Sequence, residues 1–317
     1  MKAVVYHAYG PPDVLRFEEV ERPVPRADEV LVKVHAVSVN ASDWETLVGS
    51  PAYARIGGLR QPKIRTLGSD IAGRVEAVGP AVTRLKVGDE VFGDNLERKG
   101  GFAEYAIARE KVLALKPPEL SFAEASAMPQ AAVIALQGIR GKVRPGQQVL
   151  INGAGGGAGA YAIQLAKLDG AEVTGVDNTA KLDFMRAVGA DHVVDYTRTD
   201  FTRAGKRYDL VLDLAGFHSV LAHRRALARG GRYRWVGGSV GTLLQVLIAG
   251  PLVGGQRLLV VRPNTTDLLT MASLCTAGTV VTHIDRRFPF DETPAALRHL
   301  GEGRALGKVI VTMGEQG

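Results

Sequence analysis

Polar and apolar residues alternate with period two over residues 29–39 (EVLVKVHAVSV), the pattern of a strand with one face buried. Apolar runs at 2–7, 71–78 and 90–93 add further short strands, and glycines at 68, 73, 79, 88 and 93 punctuate the turns between them. The first third is therefore expected to form a small, partly open barrel. From about Ser121 the pattern changes. Ser121 with Glu124 three positions on fits a capping box and opens a helix, SFAEASAM, that stops near Pro129. Strands at 148–152, 172–177, 192–196, 208–214, 231–236 and 257–262 then accompany helices at 157–168, 180–188 and 219–228. Apolar strands alternating with helices predict a parallel sheet covered on both faces, the doubly wound α/β arrangement. A further strand, a helix near 292–300 and a last strand at 308–313 follow.

Length and composition narrow the class. The 317 residues allow two domains at roughly 100–200 residues each. Thirty-eight glycines, about 12% against a usual ~7%, point to tight turns and to close backbone approach to a ligand. Cys275 is the single cysteine, which excludes an intrachain disulfide and a four-thiolate zinc site and makes a reducing, cytoplasmic setting the expectation. The N-terminal stretch has no apolar run of signal-peptide length, so it is expected to be mature protein. Two charge-free stretches, 147–166 and 237–256, are broken by glycine and, in the second, by Pro251, so they are expected to be buried α/β segments and not membrane spans. The net charge of +6 is dispersed; its densest group, Arg203, Lys206, Arg207, Arg224, Arg225, Arg229, Arg232 and Arg234, lacks interleaved aromatics and reads as a solvated face, with no nucleic acid as partner.

Residues 150–159 read LINGAGGGAG, directly after a predicted strand and at the start of a predicted helix. Glycines there permit a tight turn and backbone approach to a pyrophosphate, while the helix N-terminus offers free N–H groups to the anion. Aligned on Gly156 and Gly159, the pattern is A-x-G-x-x-G, with Ala154 in the first glycine's place. Asn152, Gly153, Ala154, Gly155, Gly156, Gly157, Ala158 and Gly159 are thus the candidate cofactor loop. Asp177 ends the next strand 18 residues past Gly159, near the ~20 expected of the acid that bonds ribose hydroxyls. A solvated turn or a helix N-cap is the alternative role for Asp177.

The segments 67–93, GGFAEYAIA (100–108), the glycine loop, GADHVVDY (189–196), YDLVLDLAG (208–216) and GKVIVTM (307–313) resemble the medium-chain dehydrogenase/reductase superfamily, in its order and over nearly the whole chain. The resemblance is to the zinc-independent quinone oxidoreductase and enoyl-reductase branch. It implies a GroES-like β-rich catalytic domain from residues 1–122 and 280–317, a Rossmann cofactor domain from 123–279, and a homodimer joined through edge strands, here 257–262.

In zinc-dependent members of that superfamily the catalytic metal is held by two cysteines and a histidine. The matching places carry Asn40, Ser69 and Gln130, none of which offers a thiolate or imidazole, so no metal is expected. Without a Lewis acid, alcohol oxidation is hard to run, whereas hydride delivery to a quinone or an α,β-unsaturated carbonyl needs orientation and hydrogen bonds to a delocalised oxyanion. The resemblance places Asn40 and Asp43 beside the nicotinamide, with Tyr53 and residues 57–63 (GGLRQPK) walling the substrate. The residues themselves leave other roles open: an Asx turn for Asn40, a loop clamp for Asp43, packing for Tyr53.

Cofactor preference is divided at this level. An ionised Asp177 favours NADH. Lys181 and Tyr196, at positions matching phosphate contacts in quinone oxidoreductases, favour NADPH, as the branch generally does, and Lys308 joins the cofactor contacts by resemblance. NADPH is the expectation and NADH the alternative. An alcohol or aldehyde dehydrogenase and a non-catalytic nucleotide-binding protein are the competing functions.

Overall fold

The computed structural model describes residues 1–56, 58–250 and 256–314, and the chain divides into two compact units, 1–130 with 263–317 and 131–262. The boundaries expected from the sequence resemblance lie at 122/123 and 279/280.

Strands β1 (Lys2–Val5), β2 (Arg16–Glu19) and β3 (Glu29–Val39) are followed by helix α1 (Ala41–Val48), strands β4 (Asp70–Val78), β5 (Glu90–Asp94), β6 (Tyr105–Arg109) and β7 (Leu113–Leu115), and helix α2 (Phe122–Ser126). The helix expected over 121–128 is shorter than its pattern. Ser121 caps it as expected, accepting from Glu124 N, but Pro129 opens a second helix, α3 (Pro129–Ile139), instead of ending the first. Proline suits the first helical position because the missing N–H has no intrahelical partner there.

The second unit runs β8 (Gln148–Asn152), α4 (Gly157–Leu168), β9 (Glu172–Asp177), α5 (Leu182–Val188), β10 (His192–Asp195), β11 (Tyr208–Asp213), α6 (Val220–Ala226), β12 (Leu227–Trp235), α7 (Val240–Ile248) and β13 (Gln256–Leu258). The chain ends with α8 (Thr265–Thr276), β14 (Ile284–Pro289), α9 (Thr293–Gly301) and β15 (Lys308–Thr312).

In the first unit β3 is central. It pairs antiparallel with β4, β6 and β15, and the sheet extends through β5 to β7 on one side and to β14 on the other. Its alternating valines, Val30, Val32, Val34, Val37 and Val39, pack with Ile71, Val91, Leu113, Val309 and Val311. The second unit's sheet is parallel throughout, in the order β10-β9-β8-β11-β12-β13 among the described residues. The order reverses between β8 and β11, the point at which a doubly wound sheet receives a ligand at its strands' carboxyl ends.

Two expectations for the second unit are corrected. The stretch 237–250 is not wholly buried, because α7 turns Leu244, Leu247 and Ile248 to solvent; 251–255 lie outside the described residues. The strand expected over 257–262 pairs with β12 only through Gln256–Leu258. No helix among the described residues is long and apolar enough to cross a membrane.

Candidate active site

In the first unit a polar cluster gathers where four strands begin or end. Asn40 follows β3, Lys308 opens β15, and the pairing of Val39 with Val309 sets them side by side. Asp70 opens β4 opposite Ser38 of β3, and Asp94 ends β5 opposite Asp70. All four side chains are buried. Lys308 Nζ donates to Asn40 Oδ1 at 2.6 Å. Burial pushes the Lys308 ammonium toward its neutral form, opposed by Asp70, Asp43 and Asp94. Burial, with the facing Asp94 charge, drives the Asp70 carboxyl well above its ordinary range against the pull of Lys308 and the Gln130 amide. Asp94 rises to about 6, through burial above all. Asn40 Nδ2, Asp70 Oδ1 and Ser38 Oγ are buried with no hydrogen-bond partner.

Asp43 is fully buried at the third position of α1. It accepts from the backbone N–H of Asn40 at 3.0 Å and from that of Gly68 at 3.0 Å, so it caps its own helix and ties it to the segment before β4. Burial raises its carboxyl, and Lys99 opposes. Lys99 Nζ donates to Thr46 Oγ1 at 2.8 Å on the same helix. Tyr53 sits half-buried on a 3-10 turn, Ala52–Arg55. Tyr9 holds the neighbouring segment: its ring carries the Arg55 guanidinium and its hydroxyl donates to Gly58 O. Of the expected wall at 57–63, Gly57 lies outside the described residues.

Asn40, Ser69 and Gln130, the places expected to match zinc ligands, form a hydrogen-bonded set with their neighbours. Ser42 Oγ donates to Gln130 Oε1 at 3.0 Å, Gln130 Nε2 reaches Ser69 Oγ at 3.4 Å, and Asn40 is held by Lys308. Neutral oxygen and amide donors beside a buried ammonium do not suit zinc, which takes thiolate, imidazole or carboxylate. No group of three or more metal-ligating side chains occurs among the described residues.

In the second unit the glycine loop joins β8 to α4. Gly153 has φ +82°, a region closed to most side chains. A Cβ on Gly159 would come within 2.4 Å of Gly153 O, so only glycine lets α4 pack this closely on the loop. Gly156 is the N-cap of α4, and a Cβ there would meet only Gly153 O, at 3.5 Å. The loop therefore presents open backbone at a helix N-terminus, which fits an anionic pyrophosphate.

Asp177 ends β9 and turns its carboxylate onto this loop. Oδ2 accepts from Gly155 N at 3.0 Å, Oδ1 accepts from Asn178 N at 2.9 Å, and Lys181 Nζ lies 3.6 Å from Oδ1. Asp177 and Lys181 are each 7% exposed, while Tyr196, whose N–H donates to Asp177 O, is 55% exposed. The structure brings these three together at the end of β9. Asn152 points elsewhere: its Nδ2 donates to Asp213 Oδ1 at 2.8 Å. Asp213, Asp70, Asp94 and Lys99 were not singled out from sequence, although an aspartate closing an apolar strand, as in YDLVLD, is a readable signal.

Comparison with known proteins adds to this geometry. Residues 26–118 match the model of the alcohol dehydrogenase GroES-like domain, and 188–311 that of the zinc-binding dehydrogenase. The chain is 34% identical to 2-methylene-furan-3-one reductase of Solanum lycopersicum, over 98% of this chain and 79% of that protein. It is 32% identical to the NADPH-dependent alkenal/one oxidoreductase, chloroplastic, of Arabidopsis thaliana, again over 98% and 79%. The solved quinone oxidoreductase of Coxiella burnetii superposes with a TM-score of 0.91 at 30% identity, covering 98% of this chain and 99% of that one.

Proposed function

Because the chain belongs to the quinone oxidoreductase-like branch of the medium-chain dehydrogenase/reductase superfamily, we propose that it is an NADPH-dependent reductase of quinones and α,β-unsaturated carbonyls that works without a metal. The observation that supports this reading is the Asn40–Lys308 pair, an amide held by a buried ammonium at one of the places that the resemblance matches to a zinc ligand. A bound nicotinamide dinucleotide supplies the hydride; the acceptor gains it together with one proton.

In this reading the glycine loop 153–159 binds the pyrophosphate, and Lys181 and Tyr196 serve the 2′-phosphate. The Asp177 charge repels that phosphate less than its sequence position implies, because the carboxylate is spent on Gly155, Asn178 and Lys181. Asn40, whose amide oxygen is fixed by Lys308, orients the cofactor or the acceptor carbonyl. Asp43 holds the α1 start in place for it, and Tyr53 is the proposed hydrogen-bond donor to the acceptor oxygen. Lys308 adds a fixed positive charge near a developing oxyanion, the kind of preorganised stabilisation that lowers such barriers.

We further propose a homodimer through the exposed edge at β13. The single cysteine supports a reducing compartment, for which the cytoplasm is our reading, although the Arabidopsis relative is named chloroplastic. The test is NAD(P)H oxidation against a panel of quinones, enones and aldehydes, with and without a chelator. Turnover of quinones or enones that the chelator leaves intact is expected. Activity confined to alcohols and aldehydes and abolished by the chelator would sink the proposal, and binding without turnover would point to a non-catalytic role.

A further inference from the structure

Asp213 closes β11 and is fully buried, yet its carboxylate gathers donors from four directions. Oδ1 accepts from Asn152 Nδ2 at 2.8 Å, from Gly216 N at 2.7 Å and from Ala215 N at 3.2 Å. Oδ2 accepts from Tyr233 Oη at 2.7 Å and lies 3.2 Å from His223 Nε2. The other nitrogen of His223 pairs with Ser219 O at 3.0 Å, and its ring packs on Tyr233 with centroids 4.1 Å apart. Burial alone would raise the Asp213 carboxyl; the neighbouring His223 ring and the hydrogen bonds from Tyr233 and Gly216 outweigh it and hold it below its ordinary range.

A buried carboxylate is expensive to desolvate, and packing at the end of an apolar strand is met equally by an apolar side chain. The elements that this one joins are specific. Asn152 and Asp213 are the last residues of β8 and β11 and are paired in register. Those strands flank the point where the sheet order reverses, the place at which this topology receives its ligand. Asn152 leads into the glycine loop. Ala215 and Gly216 follow β11 on the other side of that point, packed so closely on β12 that a Cβ on Gly216 would fall 2.2 Å from Trp235 Nε1. Leu214 N also donates to Asn152 O at 3.0 Å, closing the link from the other side.

We propose that Asp213 is the positioning residue of the dinucleotide site: one buried charge holds the glycine loop and the 214–216 turn at fixed separation, so both rims of the crevice are set before the cofactor arrives. Tyr233 and His223 anchor that charge from β12 and α6. This rests on the dinucleotide reading above.

The test compares wild type with Asp213→Asn, reading NADPH affinity by fluorescence titration and 2′-AMP affinity by calorimetry. The nucleotide 2′-AMP carries the adenosine and 2′-phosphate but no pyrophosphate, so it engages the end of β9 and not the crevice. NADPH is expected to bind about tenfold more weakly to the variant, as for loss of a charged hydrogen bond, with 2′-AMP unchanged. The cofactor KM should rise similarly, and kcat at saturating cofactor should change less than twofold. Tyr233→Phe, which keeps the volume and removes one anchor, should show the same split at about threefold, and it carries the test if Asp213→Asn does not fold. Unchanged NADPH affinity in the folded variants overturns the proposal. Equal losses for NADPH and 2′-AMP also overturn it, since they mark a general loosening of the unit. Failure of wild type to bind NADPH or NADH removes the dinucleotide reading itself, and the proposal with it.

Discussion

Lys308 Nζ donates to Asn40 Oδ1 at 2.6 Å across 268 positions of sequence, with both side chains buried. The ammonium is surrounded by Asp43, Asp70 and Asp94, so its removal strands carboxylates in a site that cannot hydrate them. Lys308→Met is expected to cost about 3 kcal/mol of stability in urea unfolding and to lower kcat/KM by at least about tenfold. Adding Asp70→Asn should return part of the stability, because one of the stranded carboxylates is then replaced by a neutral amide. No recovery in the double variant would show that Lys308 acts independently of Asp70.

Glu45, two residues past Asp43 on α1, is pushed up to about 7 by burial, with Lys99 opposing. A carboxyl whose folded pKa is raised binds its proton more tightly in the folded state. Its contribution to stability is present below the ordinary carboxylate range near 4.5 and is lost as pH rises to about 7. Asp94, raised to about 6, acts in the same direction over a narrower window. Glu45→Gln should therefore flatten the fall in stability between pH 4 and 7 and leave the protein about 1–2 kcal/mol more stable at pH 8, after allowance for solvent screening of a partly exposed group. Chemical denaturation at a series of pH values reads this directly, and an unchanged slope would count against the raised carboxyl.

Much of this architecture is legible in the sequence because its signals are local. The period-two run of β3, the Ser121–Glu124 cap and the strand–loop–helix around Gly153–Gly159 each follow from residues within a few positions of one another. The α2–α3 break is not, since Pro129 reads equally as the end of one helix and the start of the next. The buried cluster is harder still. Asp70, Asp94 and Lys308 meet through strand register across most of the chain, and only pairing puts them within reach. Asp177 shows the same limit at short range: its position is plain from spacing, but where its carboxylate points depends on Gly155, Asn178 and Lys181.

That orientation changes what an Asp177 substitution should do. From sequence alone, Asp177→Ser shifts the cofactor ratio toward NADPH by removing a repelling charge. In the structure the same change also releases Gly155 N, so it loosens the pyrophosphate loop shared by both cofactors. Affinities for NADH and NADPH are expected to fall together by about tenfold, the loss of a charged hydrogen bond, with a smaller change in their ratio. The two dissociation constants measured side by side decide the matter; a clean switch with NADPH affinity preserved would return Asp177 to the role of ribose contact.

Two glycines of the loop separate folding from ligand binding. A Cβ on Gly159 would press on Gly153 O at 2.4 Å and on the Ala154 backbone at 2.5 Å, atoms that cannot move without lifting α4 from β8. Gly159→Ala should therefore lower the melting temperature as well as cofactor binding. A Cβ on Gly156 meets only Gly153 O at 3.5 Å, an ordinary contact, and Gly156 has φ −90°, which any residue adopts. Gly156→Ala should fold and melt like wild type. If the pyrophosphate lies against the α4 N-terminus, the added methyl occupies its space, and NADPH affinity should fall about tenfold or more while 2′-AMP, which lacks the pyrophosphate, binds as before. Wild-type NADPH affinity in Gly156→Ala would move the pyrophosphate off this helix end.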